Sequence, residues 1–590
     1  MYTEEKAVKP ACTEHETQPG ITGGQTLYNE ILRFSNIMHI KRLVAAFCTI
    51  LAVLSVSPLH ARAENPAFSD VPPDSWAAGV IDSAVKSGLM GGMGDGLFGY
   101  GRTITRAEFV TVLCRMFGWE VIAPSSATFG DVSPGQWFYG AIEAAAQHGV
   151  VEAAGRFRPN EPITRKDMAV MLVKALGYDE LAAFTAKTGL NPFVDVDSDI
   201  GYIIIAHDIG MINGIGEGKF APDNTAKREE AAAMLTRVYD KMKSGSNWLH
   251  GFYAFSSYGQ RNLIDGMDAV SFGWSKMEWD ADNGARLNTT ALGGNTWRIP
   301  ESYELITEYQ RNRGVKANLC VFMDTSGGLY ELLADEASRK TAAEAIMGEA
   351  TREYDAIGRS PYDGVTVDFE GLRGNEAKTR YTAFLSTLAE ALKERGLSLY
   401  VTVQPVTADG IYFDGYDYRE IGRLADKVIL MAHNYQPVSL DGFFGTEWQR
   451  NAALTPVTEI YTALKAVTDE ATGVEDISKV ALAFSFGCTG WKVDENNRVV
   501  SPSPVSPSIE TVYTRMLQPD TEFGWSDTYR NSYMIYTTEE GERIFLWYED
   551  SRSITEKLDL AKLFGVTGSS IWRLGIIPDF EEWNVMGCFS

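Results

Sequence analysis

The apolar positions of this chain fall into two regimes. Between residues 68 and 243 they recur with helical spacing and in triplicate. From residue 251 onward they come as short runs separated by helical stretches. The first regime opens three times on one pattern, at Phe68-Ser-Asp-Val71, Phe129-Gly-Asp-Val132 and Phe193-Val-Asp-Val196. Each unit continues into a predicted helix with one apolar face. That face is Ile81, Ala84, Val85, Gly88 and Leu89 in the first unit, and Ile142, Ala145, Ala146, Gly149 and Val150 in the second; steps of three and four stack side chains on one side of an α-helix. A Gly-rich turn and a phenylalanine follow (Phe98, Phe157, Phe220), and eight residues later an arginine (Arg106, Arg165, Arg228) opens a second helix. The core stripe of that helix is Phe109, Val112, Leu113, Met116 and Phe117, then Met168, Met171, Leu172, Ala175 and Leu176, then Ala231, Met234, Leu235, Val238 and Tyr239. The reading is three mainly helical repeats at 64–121, 122–181 and 182–243, each needing its neighbours to cover its apolar face.

The second regime, 244–590, opens within a short polar linker at 241–247. It contains eight apolar runs that read as buried strands: 251–255, 269–274, 317–323, 364–369, 397–403, 428–431, 480–486 and 569–574. The clearest intervening helix is Tyr381, Phe384, Leu385, Leu388 and Leu392, stopped by Gly396. Strands alternating with helices form a parallel sheet, and eight such units close into a (β/α)8 TIM barrel. The stretch 489–549 is too long for a plain connection. Its alternating runs at 533–537 and 544–548 predict an inserted hairpin, a small α+β insertion near the rim.

The formal net charge of -25 argues against nucleic acid, because phosphate binding needs a basic face. Six cysteines in 590 residues are too few for a disulfide scaffold, and they show no metal-ligand spacing. Cys114, Cys320, Cys488 and Cys588 read as mostly buried small hydrophobes, with one pairing left open. No metal and no cofactor is implied. A secretory leader is expected at 38–63: Met38, basic His39, Lys41 and Arg42, an apolar stretch at 43–56 and an Ala61-Arg62-Ala63 cleavage signal. The apolar stretch is too short for a permanent span. Residues 1–37 read as a start-site extension carrying Cys12, and the mature chain is expected to begin near Glu64, outside the membrane.

Thr105-Arg-Ala-Glu108 is a capping box, and Thr164-Arg-Lys-Asp167 is a near copy. Arginine in a first helical turn opposes the helix dipole. Its recurrence points either to an anion site, built from unpaired N–H groups and a guanidinium fork, or to an acid partner inside the fold. These units resemble S-layer homology domains. The resemblance implies binding of an anionic, pyruvylated secondary cell-wall polymer, with Arg106 and Arg165 as contacts and Trp76 and Trp137 as matching aromatics. The third unit departs from the pattern: it has no matching Trp and reads Ala226-Lys-Arg-Glu-Glu230, so Arg228 is the least typical contact.

In the fourth barrel strand, alternation turns Thr366, Asp368 and Glu370 inward and Val365, Val367 and Phe369 toward the helices. Two carboxylates side by side at the C-terminal end of a barrel strand raise the pKa of one and leave an acid. By spacing alone, a structural ion pair with Arg or Lys is an equal alternative. The string Tyr362-Asp-Gly-Val-Thr-Val-Asp-Phe-Glu370 resembles the signature of glycoside hydrolase family 18, the chitinase-like family. Met431-Ala-His-Asn-Tyr435 and Ile571-Trp-Arg-Leu-Gly575 resemble two further segments of it. Tyr548-Glu-Asp-Ser-Arg-Ser-Ile554 looks most like the branch of spore-cortex and peptidoglycan-lytic N-acetylglucosaminidases.

The resemblance implies catalytic Glu370 as acid and then base. It implies Asp368 as the residue orienting the 2-acetamido group, which is itself the nucleophile. It places Asp363, Thr366, His433, Asn434, Tyr435 and Trp572 at the substrate. Two positions depart from it. Thr366 stands where the family has Asp; it keeps a hydroxyl able to donate to Asp368 and cannot share a proton with it. His433-Asn434 replaces Tyr-Asp, with His433 or Tyr435 as the substitute donor. Trp274, Tyr435, Trp491 and Trp572 are candidate sugar platforms, since sugars stack apolar C–H faces on rings. Asp324 and Gln404 are candidate hydroxyl binders.

The leading expectation is a secreted, wall-retained hydrolase of β-1,4 glycan containing N-acetylglucosamine, peptidoglycan or chitin-like. The alternatives are a non-catalytic glycan-binding protein that keeps the barrel, and a structural S-layer component.

Overall fold

The computed structural model describes residues 68–589, apart from 154, 411, 412 and 582; the expected leader and the stretch before it lie outside the described residues. The triplicate pattern folds as helix pairs: α1 (Ala78–Lys86) with α2 (Arg106–Phe117), then α3 (Tyr139–Gln147) with α4 (Arg165–Ala175). An additional α5 (Asp179–Thr188) precedes the third pair, α6 (Ile200–Asp208) and α7 (Arg228–Lys243). The extra helix packs tightly on α6: a Cβ at Gly201 would lie 1.8 Å from the Ala182 carbonyl oxygen.

A pseudo-threefold ring joins the repeats. Just before each second helix lies a buried apolar residue: Ile104, Ile163 and Ala226. Their backbones close a cycle in which Ile104 N–H donates to Ala226 (3.1 Å), Ala226 to Ile163 (3.2 Å) and Ile163 to Ile104 (3.0 Å). The aspartates of the opening motif brace the loops of the ring. Asp70 accepts the N–H groups of Phe98, Gly99 and Tyr100, Asp131 those of Phe157 and Arg158, and Asp195 those of Phe220 and Ala221. Thr105 caps α2 and Glu108 reaches back to the Thr105 N–H at 2.8 Å, completing the capping box.

The eight predicted strands form a closed parallel barrel. Its members are β1 (Trp248–Tyr253), β2 (Ala269–Asp280), β4 (Lys316–Asp324), β5 (Gly364–Glu370), β6 (Ser398–Val403), β7 (Lys427–Leu430), β8 (Val480–Ser485) and β13 (Gly568–Trp572). β13 pairs with β1, and β1 with β2, so no edge is left open. The extra β3 (Gly284–Asn288) folds back antiparallel on the second half of β2. Inside the barrel, Trp248, Phe252, Cys320, Tyr400, Ile429, Ala481 and Ala483 make one apolar cluster. A polar line crosses it: Ser570 Oγ to His250 Nδ1 at 2.8 Å, His250 Nε2 to Ser271 Oγ at 2.7 Å, and Ser271 Oγ to Thr366 Oγ1 at 2.6 Å.

The insertion is larger than the predicted hairpin. β9 (Thr489–Val493), β10 (Glu522–Ser526), β11 (Asn531–Thr537) and β12 (Arg543–Tyr548) form an antiparallel sheet in the order β10-β11-β12-β9. Its buried face of Trp491, Ile535, Phe545 and Trp547 packs on Leu440 and 452–454, in the connection after β7.

The repeats are docked on the barrel. α7 packs along the helix Ser551–Leu563, and Lys241 Nζ donates to the Leu563 carbonyl at 2.7 Å. Arg530, in the insertion, donates to the Gly177 carbonyl. The predicted linker has no slack, since Ser244 Oγ caps Lys241 and the Asn247 N–H bonds Thr567 just before β1 begins. Cys114, Cys320, Cys488 and Cys588 are free thiols, the first three buried. Among the described residues no helix is long and apolar enough to cross a membrane.

Candidate active site

Asp368 and Glu370 occupy the last inward positions of β5. Register sets Phe322 of β4 beside Asp368 and Asp324 beside Glu370. Asp368 is buried and Glu370 partly so. Burial raises the Glu370 carboxyl well above the usual carboxylate range, and the charges of Asp368 and Asp324 raise it further. Burial also raises Asp368, opposed by a hydrogen bond from Thr402. The pair therefore holds a proton near neutrality, and Glu370 is the stronger proton holder. Neither carboxylate forms an ion pair among the described residues, so the structural alternative of an Arg- or Lys-held pair finds no partner.

Thr366 is not where the sequence reading put its hydroxyl. It sits one inward step below Asp368 and bonds Ser271, while the donor to Asp368 is Thr402 of β6 at 2.7 Å. Asp363 is also corrected. It precedes β5, at the opposite end of the strand from Glu370, where it accepts the Ala317 N–H and faces Lys316. Seven residue steps separate the two positions along the strand, roughly 23 Å. Asp324 accepts the Ser326 N–H and hydroxyl, so it braces its loop and lends its charge to Glu370. Gln404 accepts the Gly371 N–H at 2.6 Å and thereby fixes the turn after Glu370.

Of the four candidate platforms, Trp274 and Trp491 are enclosed. Trp274 has the parity of Phe272, on which it stacks at 4.1 Å behind the barrel wall, and Trp491 lies inside the insertion core. Trp572 stays partly open at the end of β13, against Phe252. Its neighbour is Trp297, a residue the sequence reading missed. Trp297 stacks on Phe322 at 4.4 Å and meets Trp572 at 5.9 Å. Asn295 holds it, its side chain accepting the Trp297 N–H and donating to the Trp297 carbonyl. Gly273 leaves room for the ring, since a Cβ there would stand 3.2 Å from the indole. Only a loop tryptophan beside the fixed Asx turn of Asn295 signals this in the sequence.

The end of β7 carries unsatisfied polar atoms in a row. His433 Nδ1, Tyr435 Oη and Gln436 Oε1 are all buried without a partner among the described residues. Burial lowers the His433 imidazole to about 4, so it is neutral near pH 7, and burial keeps the Tyr435 hydroxyl protonated. Asn434 between them is exposed, with φ of 61°. Gln436 was missed, although it adjoins the segment that carried the resemblance.

In the repeats, the anion site built on unpaired helix N–H groups is corrected. The first N–H groups of α2 donate to the Glu161 and Pro159 carbonyls of the next repeat, and those of α4 to Asn224 and Pro222. The arginines follow the same cyclic rule. Arg106 lies over Phe157, Arg165 over Phe220 and Arg228 over Phe98, each with Nε donating to that phenylalanine's carbonyl. Arg106 also pairs with Asp167, and Arg228 with Glu108 at 3.2 Å. Arg165 has no ion pair among the described residues. Arg228, with Trp137 and Arg115, lines a cavity of about 290 Å³ between repeats. Trp76 and Trp137 are 63% and 66% exposed, free to meet a ligand.

Comparison with known proteins agrees with this layout. The model for Glycosyl hydrolases family 18 matches residues 250–576, more than half of the chain, and the S-layer homology domain model matches 67–110, 128–169 and 192–232. Exoglucanase XynX of Acetivibrio thermocellus is 32% identical over 195 residues, 32% of this chain and 18% of that protein. The cortical fragment-lytic enzyme of Bacillus subtilis (strain 168) is 25% identical over 258 residues, 43% of this chain and 54% of that one. Among solved structures, the Bacillus cereus spore cortex-lytic enzyme SleL aligns with a TM-score of 0.43 and 18% identity, over 59% of this chain and 75% of that one. The match thus spans under a fifth of the first relative and about half of the second. With the closed barrel, the paired carboxylates of β5 and a family match over most of that barrel, the chain belongs to glycosyl hydrolases family 18 and carries three S-layer homology domains ahead of it.

Proposed function

We propose that the protein is a surface-held glycosidase that cleaves β-1,4 glycan containing N-acetylglucosamine, in peptidoglycan or a chitin-like polymer, with retention of configuration. One observation carries this reading: Glu370 is a raised carboxyl at the barrel mouth, next to a second carboxylate that no cation among the described residues neutralises. Glu370 donates its proton to the glycosidic oxygen as the bond from that oxygen to C1 breaks. The substrate's acetamido oxygen closes on C1 from the other face, and the resulting positive ring is balanced by the Asp368 carboxylate. Water then attacks C1, gives its proton to Glu370 and reopens the ring. Trp572 and Trp297 offer the sugar its floor, and the enclosed polar atoms of His433, Tyr435 and Gln436 can bond it only once the segment after β7 opens to it.

The repeats hold the enzyme to an anionic secondary cell-wall polymer. Arg165 is the favoured contact, because its guanidinium forms no direct ion pair among the described residues and Glu230 acts on it only from a longer distance, while the exposed Trp76 and Trp137 supply stacking. The test is incubation with purified peptidoglycan and with chitooligosaccharides, products being read by mass spectrometry. New reducing ends that vanish in Glu370→Gln support the proposal. Tight oligosaccharide binding with no turnover by the wild type would instead make the barrel a glycan-binding module.

A further inference from the structure

Among the described residues Asp368 has one hydrogen-bond donor. Its carboxylate accepts the Thr402 hydroxyl, Oγ1 to Oδ1 at 2.7 Å, and both residues are buried. Parallel register sets Val401 of β6 against Val367 of β5, which brings the inward side chains of Thr402 and Asp368 together one step later. The hydroxyl of Thr366, on Asp368's own strand, is committed to Ser271 and approached by the Asn318 amide at 3.4 Å. The ionisable groups facing Asp368 are Glu370 on its own strand, Cys320 on β4, Tyr381 on the helix Gly374–Glu394 and Tyr416 in the segment after β6. Each is an acid, and none can stabilise a neighbouring negative charge as a cation does.

We propose that Thr402 is the positioning residue for Asp368, fixing the carboxylate's rotamer and favouring its charged form, a task that Thr366 cannot perform from its place in the barrel. This rests on the substrate-assisted reading of the site. A buried carboxylate with one charge-assisted hydrogen bond loses both orientation and charge stabilisation when that bond is removed. Thr402 also approaches the Val367 carbonyl at 3.3 Å, so its side chain is confined between the two strands and the donor is preset.

The test compares Thr402→Val, which keeps the shape and deletes the hydroxyl, with Thr402→Ser, which keeps the hydroxyl. On a chitooligosaccharide, Thr402→Val should lower kcat at least tenfold with KM within about twofold, while Thr402→Ser stays near wild type. The acid limb of the kcat profile should move to higher pH in Thr402→Val, because the charged form of Asp368 has lost its donor. A second readout needs no turnover. In full-length Glu370→Gln protein with ¹³C-labelled aspartate, the Asp368 carboxyl resonance, assigned through Asp368→Asn, should titrate at higher pH when Thr402 is Val and not when it is Ser. An unmoved titration overturns the proposal, as does equal loss of kcat in Val and Ser. If the wild type itself turns over no glycan, the glycosidase reading fails, and the titration still decides the role of Thr402.

Discussion

Asp208, at the end of α6, pairs with Lys465 of a barrel helix at 2.6 Å and also accepts the Tyr461 hydroxyl. This contact ties the last repeat to the barrel. Asp208 is nearly buried, whereas Lys465 is 42% exposed, so solvent screens the ion pair and the tyrosine bond carries much of the contact. Asp208→Ala leaves the enclosed tyrosine hydroxyl without its acceptor. The expected cost is about 1–2 kcal/mol in chemical denaturation. Burial pushes the Asp208 carboxyl up, but bonds from His207, Lys465 and Tyr461 outweigh it and hold the carboxyl below its ordinary value. A depressed carboxylate contributes stability that is fully present above the unfolded pKa and is lost as pH falls through the folded one. The stability gap between wild type and Asp208→Ala should therefore shrink only in acid, below about pH 4. A gap that stays constant from pH 7 to pH 3 would show that the charge of Asp208 does not matter.

Asp324 and Glu370 lie side by side in register, and the charge of the first raises the second. In the proposed mechanism Glu370 works protonated, so activity should fall as pH rises through its pKa. Asp324→Asn removes the charge while its amide oxygen still accepts from Ser326. The basic limb of kcat/KM should then move to lower pH. Glu370→Gln should cost about 10²–10⁴-fold in kcat, the usual worth of a general acid. A basic limb that does not respond to Asp324→Asn would assign that limb to another group.

Trp297 and Trp572 meet at 5.9 Å over Phe322 and Phe252, and both stay partly open. Stacking that is the same in the ground and transition states changes KM and leaves kcat alone. Trp297→Ala should raise KM by about 2–10-fold, for roughly 0.5–1.5 kcal/mol of ring stacking. Trp274→Ala is a different experiment: that ring is enclosed, so the loss should appear as about 3–5 kcal/mol of stability. If Trp297→Ala lowers kcat and leaves KM unchanged, the ring belongs to the transition state and not to the floor.

Much of this was legible because the period of the pattern fixes the faces. The eight apolar runs became the eight barrel strands, and alternation placed Asp368 and Glu370 inward on β5. The same parity, applied to β2, turns Trp274 outward with Phe272, away from the barrel interior. What the pattern does not hold is which neighbour a polar group chooses. Thr366 chose Ser271 across the barrel, and Thr402 reached Asp368 from another strand, because barrel closure decides those distances. The N–H groups at the starts of α2 and α4 were equally invisible, since their acceptors lie in the following repeat. Trp297 depends on a loop geometry that carries no periodicity.

Arg165 differs from its two equivalents in one respect. All three arginines spend Nε on a phenylalanine carbonyl of another repeat, and Arg106 and Arg228 each add an acid, Asp167 or Glu108. Among the described residues Arg165 adds only the Asn213 carbonyl at hydrogen-bond distance, 2.9 Å, with Glu230 acting on it from farther away. A guanidinium already paired with a carboxylate has part of its charge neutralised and part of its fork occupied, so it offers less to an incoming anion. Arg165→Lys keeps the charge and loses the fork. It should weaken retention on purified cell walls by about 10–100-fold, the worth of roughly 1.5–3 kcal/mol of charge-assisted bonding, and make release by salt easier. Arg106→Lys should weaken retention less, while costing more thermal stability through Asp167. Equal loss of retention from the two would mean that the ion pair with Asp167 opens when the polymer binds. No loss from either would move polymer binding away from these arginines and toward the exposed Trp76 and Trp137.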